Sequence, residues 1–319
     1  MGSQREQAVQ RLKKCADLLL NYEAAEREIT ENTVAEMLAL ESGTETIARL
    51  LGLVAEDIEA GCYGLDWCKT DLQTLQEQTE TLTGKIAAKR EIYFSRWQEA
   101  IRNGNFKCRD LEEELASCLD PDRKPASCYD FYDEADKFVT HLLDMADLPT
   151  LSPGYDLPDY MRRYHASSVF TIYEATKRVP ITGQDVFYDL GSGYGRVPIL
   201  TNLLTGARTT GIEYFQEYHQ RAKRSAKALG LRDVSFIQGD AADADYAGAT
   251  VFFLFNSFYG KILDTVVRKM EAIAQERAIT LCTVNMRKWG NTIPWLKEEY
   301  HDARRAGLTI FRSRNSLDS

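Results

Sequence analysis

Apolar positions recur every three or four residues through the first 120 positions, and short continuous apolar runs take over only after position 185. Val9, Leu12, Ala16, Leu19 and Leu20 form a helical stripe over 4–28. Ser42 followed by Glu45 reads as a capping box that opens a second helix ahead of Ile47, Leu50, Leu51 and Val54, with Gly61 as its stop. Leu65, Cys68, Leu72, Leu75, Thr79, Leu82, Ile86, Tyr93 and Trp97 continue the spacing, interrupted at Lys89 or Arg90, until Asn103-Gly104 ends it. A helix of that extent runs roughly 50 Å at about 1.5 Å per residue. It needs partner helices, from this region or from a second chain. Asp110 with Glu113 opens a short helix toward Leu119.

The pattern then changes twice. Positions 120–125 read as a linker, and Tyr129, Phe131, Tyr132 and Phe138 crowd among acids before a helix expected through Met145. Pro149, Pro153, Gly154 and Pro158 cannot continue that helix, so 149–166, with Tyr160, Tyr164 and His165, reads as a lid or connector before a helix over 167–177. Strand and helix patterns alternate beyond it. Strands are expected at 186–188, 207–212, 234–237, 250–255 and 279–284, and helices from about Val197 and over 216–229 and 262–274. A closing hairpin, 296–301 with 308–313, makes one edge antiparallel. The organisation is an all-helical domain over 1–124 and an α/β domain over 125–319.

The candidate chemistry sits where these strands end. The first runs into Asp189, and Gly191, Gly193 and Gly195 then alternate before the helix. Glycine suits such a turn because positive φ costs it nothing and no Cβ blocks a ligand from the backbone. The dinucleotide fingerprint needs a third glycine three residues after the second, where this chain has Arg196. A nicotinamide-dependent oxidoreductase is disfavoured on that ground. Glu213 ends the second strand, at a reach suited to ribose hydroxyls; Asp240-Ala241 follows the third, suited to an adenine amine. The fourth strand ends in Asn256-Ser257-Phe258-Tyr259. Polar residues at successive strand ends fit a ligand lying outside the carboxyl edge of a parallel sheet.

The G-x-G-x-G turn behind an acid resembles the S-adenosylmethionine (SAM) loop of class I methyltransferases. The resemblance implies a Rossmann-like, seven-stranded, mostly parallel sheet and SAM as cofactor, with S-adenosylhomocysteine (SAH) as its product. Asp189, Gly191, Ser192, Gly193, Tyr194 and Gly195 would hold the methionine end, Glu213 and Tyr214 the ribose side, Asp240 and Ala241 the adenine, and Asn256 would sit beside the sulfonium. Asp-Leu-Gly-Ser-Gly-x-Gly-Arg, the Gly-Ile-Glu strand end and the Phe-Asn-x-Phe turn together look like bacterial relatives of the nucleosomal, non-SET lysine methyltransferases, over roughly 155–290. Ser257 stands where many of those have proline, and a basic tail is missing.

The same turn is similar to the Asn-Pro-Pro-Tyr turn of amino-group methyltransferases, which implies N-methylation of an amine or amide. Asn256 would accept from the target nitrogen, Tyr160, Phe258 and Tyr259 would pack on the acceptor, and Tyr164, Tyr259 or His165 would take the proton. An O- or C-methyltransferase of a natural-product pathway, and a catalytically silent SAM-fold scaffold, are the alternatives. The acceptor is a peptide, protein or small molecule.

A formal net charge of −9 over 319 residues disfavours nucleic acid as partner. Seven cysteines without metal-type pairs read as reduced thiols, and His141, His165, His219 and His301 are too dispersed for a metal site. No run approaches the roughly 20 apolar residues of a membrane span, and position 6 is Glu6, against the myristoylation pattern, so a soluble cytoplasmic protein is expected. The N-terminal helices are candidates for substrate selection, a lid or homodimerisation.

Overall fold

The computed structural model describes residues 2–29, 34–59, 69–119, 133–145, 161–162, 164–302 and 307–314. Chain packing divides it into two units, 1–97 and 98–319. The first holds α1 (Gly2–Glu28), α2 (Val34–Glu59) and most of α3 (Lys69–Arg102). Its apolar stripes meet one another. Leu12 and Leu19 of α1, Leu38, Ile47 and Leu51 of α2, and Leu82, Ile86 and Phe94 of α3 are all buried. Lys89 and Arg90, which interrupt the α3 stripe in sequence, face partners in the same unit. Lys89 Nζ lies 2.8 Å from Glu26 Oε1, and Arg90 pairs with Glu41.

One element start differs from the sequence expectation. Helix α2 runs through Ser42 without a break, so Ser42 is no N-cap. Its hydroxyl instead donates to Leu38 O at 3.0 Å, one turn back in the same helix. A Ser–x–x–Glu pattern inside a helix looks the same as one at its start, because the hydroxyl bonds the backbone in either setting. Gly61, Cys62, Cys68 and the 120–125 linker lie outside the described residues.

The boundary between the packing units falls after Trp97, within α3, and α4 (Cys108–Cys118) packs in the second unit. The reason is contact within that unit. Gln98 donates to Leu142 O at 3.1 Å, Arg102 to Ala228 O at 3.3 Å, and Lys177 Nζ reaches Glu112 at 2.8 Å.

The second unit continues with α5 (Glu134–Leu142), α6 (Val169–Arg178), β1 (Val186–Leu190), α7 (Arg196–Thr205), β2 (Arg208–Glu213), α8 (Gln216–Ala228) and β3 (Val234–Gln238). Then come β4 (Val251–Leu254), α9 (Lys261–Glu276), β5 (Thr280–Val284), α10 (Arg287–Gly290), β6 (Leu296–His301) and β7 (Leu308–Ser313). Helix α5 stops at Leu142, short of Met145. The strands form one seven-stranded sheet in the order β3-β2-β1-β4-β5-β7-β6. Strands β1 to β5 pair in parallel, and β7 runs antiparallel between β5 and β6. Every residue of β4 and β5 is buried, as strands covered on both faces require. This is the expected Rossmann-like, mostly parallel architecture. Strand β1 has β2 on one side and β4 on the other, so the chain reverses its direction of travel across the sheet there. A crevice opens at such a point, at the carboxyl ends of the strands.

Candidate active site

A cavity of about 1060 Å³, part of it open to solvent, lies at this reversal. Its lining includes Asp189 from the end of β1, Glu213 and Tyr214 from the end of β2, Asp240 and Ala241 after β3, and Asn256 and Phe258 after β4. Register sets the first two side by side. Asp189 pairs with Gly211 and Leu190 with Ile212, so the β1 and β2 chains leave the sheet together.

The glycine loop is pinned to β2. The N–H groups of Gly191 and Ser192 both donate to Ile212 O at 2.9 Å, and Gly195 N–H donates to Ser192 O at 2.8 Å. Gly191, Gly193 and Gly195 have φ of +87°, +53° and +82°, so all three sit in the left-handed region that favours glycine. What a Cβ would strike there differs from the expectation. It would lie 2.4 Å from Ser257 Oγ at position 191, 2.1 Å from the Tyr164 ring at 193, and 2.6 Å from the Phe236 ring at 195. The glycines make room for protein side chains. Of the expected loop contacts, Gly191 and Ser192 line the cavity and Gly193, Tyr194 and Gly195 do not. Tyr194 is buried in an aromatic cluster, its ring 5.0 Å from Tyr164 and 4.5 Å from Tyr218.

Three acids face the cavity in different states. Asp189 is 3% exposed, and among the described residues no donor reaches its carboxylate. Burial, and then the charge of Glu213, push its pKa well above the usual carboxyl range. Glu213 is raised by burial too, against the backbone N–H groups it accepts from Phe215 at 2.8 Å and Gly193 at 2.7 Å. Asp240 Oδ1 accepts from Ala242 N–H at 2.8 Å, a local turn that aims the chain after β3. Ser192 Oγ is buried beside Gly211, and among the described residues it has no partner.

The turn after β4 is held by the segment that precedes α6. Asn256 has φ of +45°, Met161 bridges Phe258 in antiparallel sense, and Arg162 N–H donates to Ser257 O at 3.1 Å. The Arg162 guanidinium lies 5.3 Å from the centre of the Tyr259 ring. Tyr164 and His165 line the cavity, with the His165 ring edge-on to Phe255 at 6.1 Å. Tyr259, expected at the acceptor, does not line it and is 42% exposed. Phe255, Asn256, Ser257 and Phe258 all line the cavity, and the chain turns away from it at Tyr259. Tyr160 lies outside the described residues. His141, His219 and His301 are absent from the lining.

Sequence reading missed Arg196, Arg162, Phe215 and Tyr218, all of which line the cavity. In sequence Arg196 stands in place of the dinucleotide glycine and closes the Asp-Leu-Gly-Ser-Gly-x-Gly-Arg motif, with no role of its own assigned. The signal that locates its partner was present, since Asp133 and Asp136 form a capping box at the start of α5 and Asp136 also binds Arg196. Cys15, Cys118 and Cys282 are free and buried, and burial pushes each thiol up, to about 12 for the latter two, so none is poised as a nucleophile. Among the described residues no helix is long and apolar enough to cross a membrane.

No protein-family model and no curated protein matches the sequence. Solved structures to which the chain is similar include an RNA methyltransferase from Salinibacter ruber in complex with SAH, at 27% identity over 46% of this chain and 92% of that one, with a TM-score of 0.35. A precorrin-6y C5,15-methyltransferase from Geobacter metallireducens is 16% identical over 51% and 97%, with a TM-score of 0.37. A SAM-dependent methyltransferase from Thiobacillus denitrificans in complex with SAH is 24% identical over 36% and 48%, with a TM-score of 0.32. These neighbours are methyltransferases, and the reading of this chain rests on its own site geometry.

Proposed function

We propose that the chain is a SAM-dependent methyltransferase that methylates an amine or amide nitrogen on a peptide, protein or small-molecule acceptor. The observation that carries the reading is Asp189, a buried carboxylate without a donor, beside Glu213 at the floor of the cavity. A buried acid in that state calls for a ligand that brings donors or positive charge. SAM brings an ammonium, a sulfonium and two ribose hydroxyls, and the single carboxylate that comes with them has the Arg196 guanidinium in the same lining to meet. A dinucleotide would bring a pyrophosphate toward two buried acids, a like-charge contact that opposes binding.

Asp189 and Ser192 would meet the methionine half, and Glu213 would take ribose hydroxyls on lone pairs left over from Gly193 and Phe215. Asp240 and Ala241 would take the adenine edge. The bound cofactor supplies an activated methyl group on a cationic sulfur. The chain's own task is then to position the acceptor and to exclude water. Asn256 at the end of β4 would accept from the target nitrogen, Phe258 would make the pocket apolar enough to favour a neutral amine, and neutral His165, or Tyr164 as its phenolate, would receive its proton.

One observation favours an oxygen or carbon acceptor instead. An amine turn offers a side-chain amide and a backbone carbonyl, and one of the two lone pairs of the Ser257 carbonyl is taken by Arg162 N–H, which leaves a single one for a target nitrogen. Incubating the protein with methyl-labelled SAM and panels of peptides and metabolites separates the readings. Label in base-stable methylamino groups supports nitrogen, label released by mild base as methanol indicates a carboxyl ester, and no acceptor with intact SAM binding supports a silent scaffold.

A further inference from the structure

Asp136 is fully buried and does not line the cavity, so the chemistry above leaves it unused. Its carboxylate is nonetheless a junction. Oδ1 accepts from the N–H of Val169, the first residue of α6, at 3.1 Å, and from Nη1 of Arg196, the first residue of α7, at 2.6 Å. One turn further along α5, Thr140 Oγ1 accepts from Arg196 Nη2 at 2.7 Å. Asp136 N–H in turn donates to Asp133 Oδ1 at 3.1 Å, which fixes the carboxylate on its helix.

Arg196 follows the glycine loop directly and does line the cavity. A planar guanidinium held at both terminal nitrogens by one helix has little freedom left. Such a buried pair adds little stability in itself, because desolvation offsets the attraction. What it fixes is where the positive charge sits. The loop end of the cavity then carries an acid without a donor, Asp189, and a tethered cation, Arg196. That pairing is complementary to the ammonium and carboxylate of an α-amino acid.

We propose that Asp136 is a positioning residue for ligand binding: through Arg196 it fixes the cationic end of the cavity that receives the carboxylate of the cofactor's amino-acid half. The proposal rests on the SAM reading above. A helix some 50 residues before β1 thereby sets the cofactor site, although it carries none of the loop motifs.

The test is calorimetric titration of wild type, Asp136→Asn, Arg196→Lys and Thr140→Val with two ligands. One is SAH; the other is 5′-methylthioadenosine, which shares the adenosine and the sulfur but lacks the amino-acid half. Asp136→Asn and Arg196→Lys are expected to weaken SAH about tenfold or more while leaving methylthioadenosine unchanged. Thr140→Val removes one tether and keeps the ion pair, so it gives a smaller loss of the same kind even if Asp136→Asn fails to fold. Equal losses for both ligands overturn the proposal, because a merely structural defect weakens both alike. Wild type that binds neither ligand removes the SAM reading, and this proposal with it.

Discussion

The ring of Tyr164 fills the space that a side chain on residue 193 would need: a Cβ there would lie 2.1 Å from Tyr164 Cε2. The glycine loop and the segment before α6 are therefore fitted to each other. That segment is tied at its other end to Ser257 and Phe258, so it runs between the loop after β1 and the turn after β4.

Gly193→Ala should destabilise the protein by about 1 to 3 kcal/mol, from the clash and from an alanine forced into the left-handed region. Tyr164→Ala relieves only the clash. The double variant should be less destabilised than the sum of the singles, which thermal unfolding of the four proteins measures. Simple additivity would mean that the two residues do not touch.

Proton linkage gives a second expectation. Asp189 and Glu213 keep their protons above the usual carboxyl range in the free protein, chiefly through burial. A ligand that brings an ammonium and hydroxyls favours the ionised forms, so their pKa values fall on binding. Protons are then released, and affinity rises with pH across the window between the lowered and the raised values. Titration with SAH in two buffers of unlike ionisation enthalpy reads the sign, and proton uptake would contradict it.

The tie from Arg162 can be cut in two ways. Arg162→Pro deletes the N–H that Ser257 O accepts, whereas Arg162→Ala keeps it and removes only the cation over the Tyr259 ring. The proline variant should release SAH roughly threefold to tenfold faster in stopped-flow measurements, the worth of one backbone hydrogen bond, with the alanine variant close to wild type. Equal rates for all three would mean that the tie from Arg162 to Ser257 does not help to hold the ligand.

Two serines that bond the backbone of their helices in different ways should behave differently. Ser168 Oγ accepts from Thr171 N–H at 3.2 Å and caps α6, so Ser168→Ala should cost about 1 kcal/mol. Ser42 lies mid-helix and bonds back to Leu38 O, so Ser42→Ala should stay within about 0.5 kcal/mol. Urea unfolding of the two variants measures both.

The contrast also explains what the sequence could reveal. Strands β1, β4 and β5 are legible as short, largely apolar runs, β2 and β3 by β-branched and aromatic residues ahead of Glu213 and Asp240, and the mostly polar β6 only by its place beside β7 across a turn. Local patterns could not say which face a turn residue presents. Phe258 faces inward while Tyr259, its equally aromatic neighbour, faces solvent, and only the bridge to Met161 decides between them. Nor does local pattern reveal a partner 60 residues away, which is why Arg196 read as an absent glycine until Asp136 was found on it.

The central claim is that a SAM-type ligand lies on Asp189 and Glu213. Calorimetric titration of the wild type and of Glu213→Ala with SAH tests it most directly. Binding by the wild type, weakened at least tenfold in a variant that unfolds at a similar temperature, is the predicted result. A wild type that does not bind SAH, or a variant that binds it equally well, would contradict the account.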